Sequence, residues 1–298
     1  MQTAVAEKVT KVLSEKLDGE ITVEKIHFRP FNTIVLKNLL IIDKHPVVSP
    51  IDSTLEQVDT FFRAEYIIAR MSLAGLLDEE SLKIKSTDVK NAQMNLVLED
   101  LRTKNDSIVA YNNLSRIFRL VKKDTIPEPK PDEIFRIDDI GIRNMGFAMY
   151  NRSSNPTVYY GGGIDWNNLD IKDINLIAKD LYFKDGIMYG KAERLSFRET
   201  SGFNVREMSG ETRVGRGKTI VENLIIKDQW SDIHLAQFMM SYRNVDDFKD
   251  FIGLVRLDAT ILESVVDFRT IACFAPQLED NSLKIDVSGE ELRFSHVS

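Results

Sequence analysis

One short pattern recurs nine times along this 298-residue chain: apolar, any, apolar, two charged or amide residues, apolar, any, apolar. Its clearest copy is Ile140-Gly-Ile142-Arg143-Asn144-Met145-Gly-Phe147. The others run Ile21 to Phe28, Ile34 to Ile41, Thr87 to Met94, Leu169 to Leu176, Leu176 to Phe183, Gly190 to Phe197, Phe203 to Gly210 and Thr219 to Ile226. Their central pairs are Glu24-Lys25, Lys37-Asn38, Lys90-Asn91, Arg143-Asn144, Lys172-Asp173, Lys179-Asp180, Glu193-Arg194, Arg206-Glu207 and Glu222-Asn223.

Two apolar residues at i and i+2 share one face of a strand, whereas in a helix they diverge. The next apolar pair falls at i+5 and i+7. In an unbroken strand that odd offset puts it on the opposite face. A β-bulge at the polar pair restores the phase and bends the strand; a sheet apolar on both faces is the alternative. A two-residue hairpin wants Asn-Gly or Asp-Gly, which none of the nine pairs is. The bulge is the reading adopted here, and bulging in one sense curls a sheet into a trough. A pentapeptide-type solenoid would need units in tandem, and only Leu169 to Phe183 is tandem. The expected fold is therefore mainly β with a few short helices (α+β): an elongated, curled sheet forming a trough or half-barrel.

The pass along the chain predicts three parts. Residues 1–126 hold an amphipathic helix over 2–18, a first β segment and an inserted helix near 112–122 striped by Leu114, Ile117, Phe118 and Val121. Residues 127–132 are a Pro-rich linker, whose alternating prolines favour an extended path. Residues 133–298 resume the repeat as a second β segment of the same unit. Short helices are expected at 246–252 and 267–274, a strand at 255–262, and strands again over 283–294.

Composition narrows the function. A net charge of −7 makes sequence-wide nucleic-acid binding an unfavoured reading. A single cysteine, Cys273, precludes an intrachain disulfide and reads as a buried structural thiol. The histidines His27, His45, His234 and His296 lack metal-ligand spacing. Gly210 to Thr219 approaches a P-loop, but Thr212 stands where the first glycine belongs. The Gly161-Gly162-Gly163 run lacks the helix start that would cradle phosphate. Carboxylates are spread along the chain rather than paired for acid/base work. No catalytic residue, cofactor or metal is expected, and the repeat argues against an enzyme. Tyr159, Tyr160 and Trp166 could stack against a sugar, but ordinary sheet packing is the favoured reading, since aromatics are common in strands.

Several stretches resemble the AsmA/TamB family, specifically the N-terminal part of the inner-membrane component of the bacterial translocation and assembly module. They are the opening Val5-Ala-Glu-Lys-Val-Thr10, Ile21 to Phe28, Val35-Leu-Lys-Asn-Leu39, Leu195 to Phe203, Phe248 to Ile252 and Asp267 to Leu278. The resemblance implies a periplasmic protein, anchored to the inner membrane by a helix preceding this chain. It implies a longer sheet ending in a region, absent here, that meets an outer-membrane barrel partner. It also implies a role in outer-membrane protein assembly or phospholipid passage between membranes. On that reading Ile142, Phe147, Ile171, Leu176, Phe183 and Phe197 line an apolar groove for phospholipid acyl chains. The alternative is an extracytoplasmic β-rich module that binds glycan or protein.

Overall fold

At six of the nine polar pairs the second residue adopts a left-handed backbone. Asn38, Asn91, Asn144, Asp173, Asp180 and Asn223 have φ between 50° and 55°. Asparagine and aspartate tolerate this region better than other residues carrying a Cβ, because a short polar side chain can bond locally. Where such a residue meets a regular neighbour, the register slips by one. Arg143 and Asn144 together oppose Asn175, and Lys172 with Asp173 opposes Gly146. Glu193-Arg194 and Arg206-Glu207 bulge without a left-handed residue, and they too shift the register.

These bulges lie in a computed structural model that describes residues 19–30, 32–43, 47–48, 56–57, 60–71, 82–102, 108–117, 135–154, 163–215, 217–243, 247, 251–274, 283–288 and 291–296. The helix expected over 2–18 and the linker at 127–132 lie outside them. The strands of the first segment are β1 (Gly19–Arg29), β2 (Thr33–Asp43), β3 (Val47–Val48), β4 (Glu56–Gln57), β5 (Thr60–Met71), β6 (Leu82–Arg102) and β7 (Ile108–Asn112). The second segment supplies β8 (Phe135–Asn151), β9 (Asn168–Lys184), β10 (Ile187–Glu199), β11 (Asn204–Gly215), β12 (Lys218–Asp228), β13 (Asp232–Ser241), β14 (Arg256–Ile261), β15 (Leu283–Ser288) and β16 (Glu291–His296). Among the described residues three short helices accompany them: α1 (Asn113–Ile117), α2 (Phe251–Leu254) and α3 (Phe268–Phe274).

The protein is mainly β, and fourteen strands form one open sheet in the order β1-β2-β5-β6-β8-β9-β10-β11-β12-β13-β14-β16-β15, with β7 branching from β6. Both segments lie in it. They meet where β6 and β8 run parallel, and the other pairings in the sheet are antiparallel. A parallel pair needs a long crossover, which residues 103–134 supply. The hairpin between β9 and β10 turns on Asp185-Gly186, both with positive φ (51° and 77°), as a two-residue primed turn requires.

Most of the fully buried side chains gather at one end of the strands, with Val35 at the other. Ile117 of α1 is fully buried against Leu39, Ile41 and Phe61. Beside it Leu96, Leu98 and Met149 form a second cluster. Asn113 fastens α1 to β6: its Oδ1 accepts from the Val97 amide at 3.0 Å and its Nδ2 donates to the Asn95 carbonyl at 2.9 Å.

Left-handed geometry at these positions makes a sharp prediction. Asn223→Val should lose about 1–2 kcal/mol, since a β-branched residue is poorly tolerated there. Asn223→Gly should stay within about 0.5 kcal/mol of the parent. Urea unfolding of the three proteins measures both.

Candidate functional site

Cross-strand partners share a face of the sheet, so the register defines continuous rows of side chains. One row passes through ten strands without a polar interruption: Ile26, Leu36, Ile67, Val89, Ile142, Leu176, Leu195, Met208, Ile226 and Ile233. Every member is half-buried; none is enclosed and none is fully exposed. At about 4.8 Å between strands the row extends roughly 40 Å.

Two parallel rows lie beyond the polar pairs. Val23, Leu39, Ala64, Ala92, Met145 and Ile174 form one. Ile21, Ile41, Phe62, Met94, Phe147 and Ile171 form the next. Ile67 packs with the cluster that holds Leu39, Val23 and Met94, so the rows on either side of the bulge share one face. The burial of β1 records the same phase change: Ile21, Val23, Ile26 and Phe28 are half-buried, and the intervening Thr22, Glu24, Lys25 and His27 are exposed.

The structure places the six residues named from the sequence as follows. Ile142 and Leu176 are direct partners in the ten-strand row, and Phe147 and Ile171 are direct partners in the outer row. Phe183 sits past the left-handed Asp180, opposite Met188 at the β9–β10 hairpin. Phe197 joins a packed cluster with Phe203, Met208 and Ile226 instead of standing alone on the face. All six are half-buried.

The reverse side carries a polar seam made by the bulges themselves. Asn38 donates to Glu24, and Asn91 donates to Glu65 at 2.5 Å. Asn144 donates to Asn91 at 2.8 Å, and the Asn144 amide donates to Asn175 at 3.2 Å. Arg198 closes the line on Asp173. The Asn38 hydrogen bond, with Lys25 alongside, holds the Glu24 carboxyl below its ordinary range. Next to the seam, Arg136 lies over the Tyr182 ring, which stacks on Tyr189 at 4.7 Å.

Sequence reasoning missed the residues that hold α3 in place. Asp228 is fully buried, and its carboxylate accepts from the Trp230 and Ser231 amides at 2.6 and 2.7 Å and from the Thr270 hydroxyl at 2.7 Å. Thr270 also bonds Ser231 at 2.7 Å. This seats Cys273 and Phe274 at the edge of the apolar face, where Phe274 meets Phe203 edge-on at 4.8 Å. Trp166 leans on Phe274 and donates its indole N–H to the Phe274 carbonyl at 3.2 Å. Burial pushes the Cys273 thiol up. Asp267 opens α3: its Oδ1 accepts from the Arg269 amide at 2.9 Å, and the Arg269 guanidinium bonds the same carboxylate. Together these hold the Asp267 carboxyl down to about 2.

Among the described residues no group of His, Cys, Asp and Glu could hold a metal ion. His27 is exposed, and His234 pairs with Asp232 at 2.9 Å. The P-loop-like stretch lies on β11, β12 and the turn joining them. Tyr159, Tyr160, Gly161 and Gly162 lie outside the described residues. No helix among the described residues is long and apolar enough to cross a membrane. No known family model matches the chain, and no curated protein sequence matches it.

Two outcomes are expected. Asp228→Ala leaves the half-buried Trp230 amide, the buried Ser231 amide and the Thr270 hydroxyl without their acceptor, so it should cost at least about 2 kcal/mol in chemical denaturation. Because the Asp267 carboxyl is depressed from 3.8 to about 2, its contribution is present above pH 3.8 and fades as pH falls toward 2. The acid-induced loosening of α3, followed by amide exchange, should lose that component in Asp267→Asn.

Proposed function

We propose that this protein is a non-catalytic lipid-binding scaffold or conduit whose apolar face shields phospholipid acyl chains from water. The observation that carries this reading is the ten-strand row from Ile26 to Ile233, continuous and half-buried throughout. A closed core would bury such a row. A surface meant only for water would break it with polar partners. A bulge bends its strand, and bulging in one sense curls a sheet; we read the sheet as a trough with this row along its floor.

The energetics favour chain over headgroup. Each methylene removed from water contributes about 0.8 kcal/mol. One acyl chain therefore gains on the order of 10 kcal/mol gross, before ordering and incomplete burial reduce it. The polar seam lies on the other face, so the row can accept chains of any headgroup.

The resemblance to AsmA/TamB proteins supports the same reading. It adds the proposals of a periplasmic location, anchoring to the inner membrane, and a role in outer-membrane biogenesis with a barrel partner met through a region absent from this chain. Trp166 faces Phe274 with its N–H engaged, which leaves it poorly placed as a glycan platform.

The test is mass spectrometry of organic extracts from the purified protein. Phospholipid should co-purify, and the cross-strand double variant Ile142→Glu with Leu176→Glu should carry at least tenfold less. Arg143→Glu, on the polar side, should carry the parental amount. Lipid-free parent protein, or equal loading of all three, would contradict the proposal.

A further inference from the structure

β1 is one end of the sheet, and among the described residues no strand pairs with its outer edge. Exposed edges of this length are templates for another strand. Most chains blunt them with like or scattered charge. The sequence of β1 does something different: it is symmetric about the Glu24-Lys25 midpoint in its apolar positions and antisymmetric in its charges.

The apolar-face residues are Ile21, Val23, Ile26 and Phe28. Reversed about that midpoint, Ile21 exchanges with Phe28 and Val23 with Ile26. On the polar face Glu20 exchanges with Arg29, Thr22 with His27, and Glu24 with Lys25. Each apolar residue thus falls on an apolar one, and each charge on its opposite. A slip of one residue in either direction places apolar residues against polar ones and sets Glu24 on Glu24 or Lys25 on Lys25.

We propose that the β1 edge is an interface between two copies of this chain, paired antiparallel in that one register. Ile21 then faces Phe28 of the partner subunit, and Val23 faces Ile26 of the partner subunit. Four opposite-charge pairs form on the polar side, two of Glu20 with Arg29 and two of Glu24 with Lys25. Within one chain Lys25 pairs with Glu24 at 3.4 Å and Asn38 donates to Glu24, yet the Glu24 and Lys25 side chains remain 52% and 60% exposed, so a partner's charges can reach them. Main-chain hydrogen bonds supply the adhesion and the charges choose the register. The apolar rows of the two sheets join across the seam, so the pair presents one uninterrupted apolar face.

Charge swapping tests this in solution. Analytical ultracentrifugation of the parent should show a concentration-dependent dimer. Lys25→Glu with Arg29→Glu makes an all-acidic edge, and Glu20→Lys with Glu24→Lys an all-basic one. Each variant alone should self-associate at least tenfold more weakly, and their equimolar mixture should form a heterodimer. A covalent test keeps the native charges: the Thr22→Cys, His27→Cys double variant should oxidise to a dimer linked 22 to 27 on peptide mapping. A parent that stays monomeric overturns the proposal. So do charge variants that dimerise like the parent, a mixture that fails to pair, or an oxidised product with no 22-to-27 link.

Discussion

The shared apolar face depends on a phase reset in the middle of a strand, made at six of the nine polar pairs by a left-handed residue. A pleated strand alternates faces, and a long chain of apolar pairs cannot all point one way unless the alternation is reset. Here the reset falls at the polar pair, where Asn38, Asn91, Asn144, Asp173, Asp180 and Asn223 turn left-handed. Without it, Met145 and Phe147 would face away from Ile140 and Ile142, and the rows would end at the bulge line.

That conformation costs about 1–2 kcal/mol for an ordinary side chain and less for Asn or Asp. The cost is offset locally. The amides that enable the turn also bond across strands, Asn38 to Glu24, Asn91 to Glu65 and Asn144 to Asn91. The element that aligns the apolar rows therefore also stitches the polar face. Where β1, β2, β5 and β6 pass the same level, the bulged residues align side by side and the register does not slip. In β8 to β12 they are staggered, and the register shifts at each one.

Much of this was legible in the sequence, because spacing alone pointed to strands and favoured a bulge at each polar pair over a sheet apolar on both faces. The left-handed residue was legible too, but only in identity: the second member of six of the nine pairs is Asn or Asp, which a charged-or-amide reading blurs. The parallel join of β6 to β8 was not legible, since the repeat has the same form in either strand direction. Nor was the Asp228–Thr270–Ser231 network, whose partners lie far apart in sequence and share no local motif. Asn113 likewise reads as an ordinary helix-start residue, and only the fold reveals that it is buried and bonded to β6. Of the groove candidates, Ile142, Phe147, Ile171 and Leu176 were legible as apolar strand positions, but their pairing was not: aligning the two copies centre to centre would set Ile142 against Ile174, and the register sets it against Leu176. The packing of Phe197 was not legible either, because it depends on Phe203 and the seating of α3.

The most direct measurement is a fluorophore scan along β8 in the presence of phospholipid bearing a nitroxide on its acyl chain. Single cysteines at 139, 140, 142, 143, 145 and 147, in a background lacking Cys273, would carry an environment-sensitive label. A one-faced apolar sheet gives strong quenching at 140, 142, 145 and 147 and little at 139 and 143. Quenching at 140 and 142 that vanishes at 145 and 147, or none at any position, would contradict it.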